Sequence, residues 1–122
     1  MNAAARAFLL IPLVFSAWMA SAGNAPLVTI RFNQPHVYYD GQLRGAVSRA
    51  LAAKPDVVFE VVSVAPVTGN ASLDARWQAT AGHNTKAVIE DLQAMGVPPT
   101  QIRVKGQTQP DLKFDETQVF VE

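Results

Sequence analysis

The stretch VVFEVVSV, residues 57–64, decides the fold. Six of its eight residues are β-branched or aromatic, and a short run of this composition predicts a β-strand. Because apolar side chains occur on both faces of the strand, we expect it to lie in the centre of a sheet, with helices covering at least one side. The overlapping sequence SVAPVTG, residues 63–69, is predicted to be the loop that leaves this strand, where α/β domains usually bind ligands.

A first helix is predicted before this strand. Asp40 lies where an N-cap residue is expected, and residues 41–53 place apolar side chains at helical spacing. The predicted apolar stripe consists of Leu43, Val47, Ala50 and Leu51. Lys54-Pro55-Asp56 ends this helix, because a residue that precedes proline is disfavoured in the helical conformation.

A second helix is predicted within residues 73–95. One face carries Trp77, Ala81, Val88, Leu92 and Met95. Gly82 lowers the helix propensity of the middle of this segment, so we expect the regular helix to start near Ala81. Gly96 is the predicted C-terminal cap, because the Val97-Pro98-Pro99 sequence after it cannot continue a helix.

Three shorter strands complete the predicted sheet: LVTIRF at residues 27–32, IRVK at 102–105 and QVFV at 118–121. The order is therefore β-α-β-α-β-β, and the two helical crossovers imply parallel strand pairs. The C-terminal FDETQVFVE, residues 114–122, is predicted to be an edge strand that could pair with another chain. We predict an α/β (α+β) fold, a two-layer sandwich of a mixed four-stranded sheet with two helices on one face.

The N-terminal segment has the pattern of a secretory signal peptide. Arg6 precedes an apolar run, and Ala20-Ser21-Ala22 supplies the small residues that a signal peptidase recognises. The run is shorter than the ~20 residues that span a bilayer, and an uncleaved anchor is the alternative interpretation. We therefore predict a signal peptide at residues 1–22 and a single domain at residues 23–122 with no transmembrane span.

Composition excludes several classes of function. The sequence contains no cysteine, which excludes a lipoprotein anchor, disulfides and thiolate metal sites. Without Arg6, nine basic residues remain against ten acidic ones, and Lys and Arg form no cluster. We therefore expect neither a nucleic-acid partner nor an anionic membrane partner.

Several short motifs follow one another at a recognisable spacing. Val88, Leu92, Gly96 and Val97 end the second helix, and IRVK follows as a strand. A Gly-x-x-x-Pro sequence at residues 106–110 and the final VFV strand come next. In this order the chain resembles the OmpA-like C-terminal domain, the peptidoglycan-associating module of Gram-negative envelopes. The resemblance implies the same fold and a location in the periplasm.

The resemblance also identifies which residues stand at the ligand positions of that family. The family's Gly-x-Thr-Asp-x-x-Gly loop aligns with residues 63–69, where Pro66 replaces the Asp that holds the ligand's amino group. The Arg that pairs with a ligand carboxylate aligns with Asn84. Both charges that grip a zwitterionic peptide are absent, so the resemblance implies weak or absent peptidoglycan binding.

Polar residues around these positions form the second candidate site. Thr68, Asn70, Asp74 and His83 could build an altered pocket for a glycan or peptide, or they could form a solvated loop and helix start. The spacing of His36 and His83 fits no metal motif, so neither a metal nor another cofactor is expected. No Ser, His and Asp set for nucleophilic catalysis is evident, and an enzyme is therefore not expected.

These observations favour a non-catalytic exported domain of the periplasm. The leading hypothesis is a structural or protein-interaction component of an envelope assembly, such as a secretion apparatus, with envelope proteins as partners. The alternative is a peptidoglycan or glycan binding module with an altered polar pocket. An enzyme that hydrolyses muropeptides and depends on His83 is the third hypothesis.

Overall fold

The computed structural model describes residues 25–122, so the predicted signal peptide at residues 1–22 lies outside the described residues. Within these residues, four strands and two helices follow one another. They are β1 (Val28–Arg31), α1 (Asp40–Ala53), β2 (Phe59–Pro66), α2 (Ala71–Ala94), β3 (Ile102–Gln109) and β4 (Glu116–Val121), with a 3₁₀ turn at Pro99–Gln101 before β3. The predicted order and the α+β class are confirmed.

The four strands form one mixed sheet in the order β1-β4-β2-β3. β2 and β3 are parallel, whereas β4 is antiparallel to both of its neighbours, β1 and β2. The expected parallel pair of β1 and β2 is therefore wrong, because β4 inserts between them. The prediction of an edge strand at residues 114–122 is also wrong. β4 carries the fully buried Thr117 and Val119, and its backbone pairs on both sides.

Both helices cover one face of this sheet. The core consists mainly of Val28, Ile30, Phe59, Val61 and Val119 from the strands, Leu43, Ala46 and Val47 from α1, and Val88 and Leu92 from α2. Side chains alternate along a strand, so Val62 and Val64 point to the opposite face of the sheet. They are only 2% and 0% exposed, and β3 and β4 flank them on the two sides. The predicted central position of β2 is confirmed.

Helix α2 starts ten residues earlier than predicted. Asn70 is its N-cap, and the Asn70 Oδ1 atom accepts the backbone N–H of Leu73 at 2.9 Å. This cap satisfies one of the unpaired N–H groups at the helix start, so the helix extends from Ala71 through Gly82. Burial begins only at Ala81, which explains why the apolar periodicity indicated a start at that residue.

The predicted end of α2 is confirmed. Gly96 has a φ of 98°, in the left-handed region that favours glycine. The N–H of Gly96 donates to the carbonyl of Gln93, and the N–H of Val97 donates to the carbonyl of Leu92. These two bonds form a Schellman motif, and the buried side chains of Val97 and Leu92 accompany it.

Strands β2 and β3 are longer at their carboxyl ends than predicted. Residues 63–66, expected to begin a loop, continue β2, and residues 106–109, expected to form a turn, continue β3. The two extensions pair with each other in register, from Ser63 with Gly106 to Pro66 with Gln109. Each extension provides the backbone hydrogen-bond partners of the other. The sequence of either segment alone does not predict this pairing.

Candidate functional site

The loop between β2 and α2 is held by its own polar side chains. The Asp74 carboxylate accepts the backbone N–H of Thr68 at 2.7 Å, the Thr68 hydroxyl at 2.6 Å and the N–H of Gly69 at 3.3 Å. The N–H of Asn70 donates to the Thr68 hydroxyl at 3.1 Å. Gly69 takes a φ of 91°, which turns the chain toward the helix. The loop is therefore braced from within.

These bonds determine the protonation of Asp74. Hydrogen bonds from the side chain and then from the backbone of Thr68, with a further one from Gly69, lower the pKa of the Asp74 carboxyl. A carboxylate in the first turn of a helix also interacts favourably with the helix dipole. Asp74 is thus an ionised group that connects the loop to the start of α2 by hydrogen bonds. Thr68 and Asn70 form further hydrogen bonds between the same two segments.

Asn84, which the resemblance aligns with an arginine of OmpA-like domains, has a partner inside the protein. Its Nδ2 atom donates to Oδ2 of Asp115 at 2.9 Å, and Asp115 is 2% exposed. Val64 pairs with Glu116 in the sheet, so Asp115 lies one residue further along, beside the end of β2. Asn84 and the carboxyl end of β2, which carries Pro66, therefore lie at the same edge of the core. The amide of Asn84 is hydrogen-bonded to the buried carboxyl group of Asp115.

The two remaining predicted site residues, Pro66 and His83, differ in burial and lie on different elements. Pro66 is buried as the last residue of β2, opposite Gln109 of β3, and His83 is exposed on α2. Neither residue lines the two cavities described below. Within residues 25–122, no three His, Asp or Glu side chains are grouped closely enough to hold a metal ion.

A groove that the sequence did not reveal runs between α2 and β3. It consists of two adjoining cavities of about 390 and 420 Å³, which share Ser63, Gln78 and Gly106. We call it the α2–β3 groove. Ala65, Gln107 and Thr108 line its first cavity, and Gly82, Thr85, Lys86, Ile89, Val104 and Lys105 line its second.

The groove follows from the strand order. α2 packs on β2 and β4, so it leaves the outer strand β3 without a helix above it. Gly82 on α2 and Gly106 on β3 face the gap without side chains, and a Cβ at either position would meet no atom within 4 Å. Val104 remains 61% exposed as a result. Gly82 and Gly106 are the only hint of this groove in the sequence. They indicate a groove only when the order of the strands is known, because that order places them opposite each other.

A further cavity of about 460 Å³ lies between the segment before α1 and the side of α2. Its lining includes Tyr38, which is 93% exposed, and Tyr39, whose hydroxyl donates to Asp91 at 2.5 Å. Burial, followed by this hydrogen bond, raises the pKa of the Tyr39 phenol well above its ordinary value. Tyr39 therefore stays neutral and links the start of α1 to α2, while Tyr38 is a free aromatic surface.

Comparison with known proteins adds no identification. No protein-family model matches the chain, and no curated protein matches it significantly. Among residues 25–122, no helix is both long enough and apolar enough to cross a membrane. The geometry itself offers an open groove between α2 and β3, and concave surfaces of this kind are where proteins bind ligands.

Proposed function

We propose that this chain is a non-catalytic exported domain, similar to OmpA-like domains, that serves as a structural or protein-interaction component of an envelope assembly in the periplasm. Peptidoglycan binding of the family type is weakened or lost. The observation that supports this proposal most directly is the hydrogen bond from Asn84 to the buried Asp115, because it gives the family's ligand-gripping position an internal role.

The chemistry of the replaced residues supports the same conclusion. The family grips its zwitterionic ligand through one carboxylate and one guanidinium, both of which form charge-assisted hydrogen bonds. Removing one member of such a buried pair costs roughly 2–5 kcal/mol of binding energy. Pro66 offers no side-chain acceptor, and its strand position is buried. Asn84 provides a neutral amide that already has a partner.

Sedimentation with purified peptidoglycan sacculi tests this proposal. The mature chain is mixed with sacculi and centrifuged beside a control OmpA-like domain that keeps the Gly-x-Thr-Asp-x-x-Gly loop and the arginine. We expect the control to sediment and this chain to remain in the supernatant. Strong sedimentation of this chain with the sacculi would contradict the proposal.

Cross-linking in envelope membranes tests the positive half of the proposal. A photo-cross-linkable residue in place of Tyr38 or Val104, both strongly exposed, reports on partners at two separate surfaces. We expect at least one of them to give a discrete adduct with an envelope protein. A chain that is exported but gives no adduct from either position contradicts an interaction function.

One observation favours the alternative of a binding module with an altered pocket. Neutral hydrogen-bonding side chains of Ser63, Gln78 and Thr108 line the 390 Å³ cavity, and such groups suit a glycan hydroxyl. If the chain sediments with sacculi, Gln78→Ala should abolish sedimentation under this alternative. Combined alanine substitution of Asp74, His83 and Asn84 tests, in the same assay, the polar pocket that the sequence analysis predicted near the start of α2.

A further inference from the structure

Strand β3 has one side of its backbone unpaired. Within residues 25–122 it is hydrogen-bonded to β2 alone, and its last seven residues are exposed. An edge strand of eight residues presents a row of backbone N–H and C=O groups to which another extended segment can pair. β3 therefore has the backbone geometry of a strand-addition site.

The side chains of β3 divide into two different faces. Val104 pairs with the core residue Val61, so Ile102, Val104, Gly106 and Thr108 share the helix side of the sheet. Arg103, Lys105, Gln107 and Gln109 lie on the opposite side. A segment paired to β3 would thus present alternate side chains to the α2–β3 groove and to a polar surface.

The charged residues of β3 itself are both basic. β3 contains Arg103 and Lys105 and no acidic residue, and Lys86 lines the groove from α2. Arg103 pairs with Glu122 at 3.1 Å. Lys86 and Lys105 are exposed and form no salt bridge with any other residue of 25–122. Two cations without a salt-bridge partner therefore flank this edge, Lys86 on the groove side of the sheet and Lys105 on the opposite side.

From this charge and geometry we propose that β3 binds an extended, acidic segment of a partner polypeptide, which adds to the sheet as a fifth strand. Its apolar side chains enter the groove beside Val104 and Ile89, and its carboxylates lie on the opposite side of the sheet beside Lys105, while Lys86 adds positive charge on the groove side. This inference rests on the proposed interaction function and assigns its surface and the chemistry of its partner.

The same charges disfavour a second copy of this chain as the occupant. Antiparallel pairing of β3 with another β3 would bring two Arg103 and two Lys105 side chains to one face of the joined sheet. Like charges on neighbouring strands destabilise their pairing. The cations therefore protect the edge from self-association and select an acidic strand.

Fluorescence anisotropy with synthetic octapeptides tests the proposal on the mature chain. The probe alternates glutamate and valine, the charge control alternates lysine and valine, and a third peptide is the acidic probe with alternate backbone nitrogens methylated. We expect the acidic probe to bind, the lysine peptide to bind at least about fivefold more weakly, and methylation to abolish binding, since it removes the edge hydrogen bonds.

Charge-reversal variants locate the site. Lys105→Glu should weaken binding of the acidic probe by roughly fivefold or more at low salt, with a smaller effect at 0.5 M salt, and Lys86→Glu, on the groove side, should weaken it less. The matched control Arg44→Glu makes the same change in net charge on the exposed face of α1, a helix that contacts the opposite edge strand, β1. It should leave binding unchanged.

Four results would overturn the proposal. They are no binding of the acidic probe up to about 1 mM, equal binding of the acidic and lysine peptides, unchanged binding to both lysine variants, and a concentration-dependent dimer that occupies this edge. The peptide titration needs no natural partner, so it separates the two ideas. A cross-linked partner that survives Lys105→Glu leaves the interaction function standing and removes β3 as its surface.

Discussion

Asn84→Ala should destabilise the protein if the amide of Asn84 is structural. The substitution removes the donor that lies 2.9 Å from the Asp115 carboxyl group. Asp115 is 2% exposed, so its Oδ2 atom loses a partner in a place that water reaches poorly. A buried polar atom left without its hydrogen bond costs about 1–3 kcal/mol. We therefore expect a decrease of about 2 kcal/mol in the free energy of unfolding.

Thermal unfolding followed by circular dichroism measures this change. For a domain of this size, 1 kcal/mol corresponds to a change of about 4–8 °C in Tm, so Asn84→Ala should lower Tm by about 8–16 °C. The matched control is His83→Ala, one residue earlier on the exposed surface of α2. An exposed substitution of this kind should stay within about 0.5 kcal/mol of the parent.

A double-mutant cycle with Asp115→Ala shows whether the two residues act together. Residues that share a hydrogen bond have coupling energies of about 0.5–3 kcal/mol, and we expect at least 1 kcal/mol here. If Asn84→Ala is as stable as His83→Ala, the amide is not structural. Asn84 would then be available to a ligand, and the main support for a lapsed pocket would fail.

Three further predictions concern the groove wall, the end of α2 and the loop. Thr85 and Thr117 are buried with their hydroxyl oxygens 2.8 Å apart, so Thr85→Val or Thr117→Val alone should cost about 1–2 kcal/mol in urea unfolding, and the double variant less than the sum. Purely additive losses would contradict a shared hydrogen bond. Gly96→Ala places a Cβ at a φ of 98° and should cost about 1 kcal/mol, whereas Gly106→Ala, in open strand, serves as the control. Asp74→Asn should lower Tm at pH 7. Because the folded-state pKa of Asp74 is lowered, the parent's advantage is full above the ordinary value of about 3.9 and disappears as pH falls through the folded-state pKa. An advantage that does not decrease as the pH is lowered from about 5 toward 2 would contradict this role of Asp74.

The sequence was sufficient for the class of fold because its signals are local. The run at residues 57–64, the apolar stripe of α1 and the glycine at 96 each indicate one element through patterns within a few turns of chain. The Schellman end of α2 was predicted to the residue, since a glycine followed by valine and two prolines permits few other structures.

What the sequence could not provide depends on contacts between distant segments. The first three turns of α2 are mostly exposed, so they carry no apolar periodicity, and only the cap at Asn70 marks their start. The order of the strands was likewise hidden. The sequence of β4 is that of a short alternating strand, which fits an edge position and a central position equally well. Its central position follows from its pairing with both β1 and β2.

That strand order determines which surface is open for binding. Because β4 occupies the middle of the sheet, β3 becomes an edge, and because α2 lies over β2 and β4, the edge has a groove beside it. The loop at the end of β2 is meanwhile held by hydrogen bonds to Asp74, and Asn84 is paired with the buried Asp115. These polar groups stabilise the fold. Lys86 and Lys105, which have no salt-bridge partner among residues 25–122, flank the edge at β3, which is why we expect a binding partner there and not at the loop.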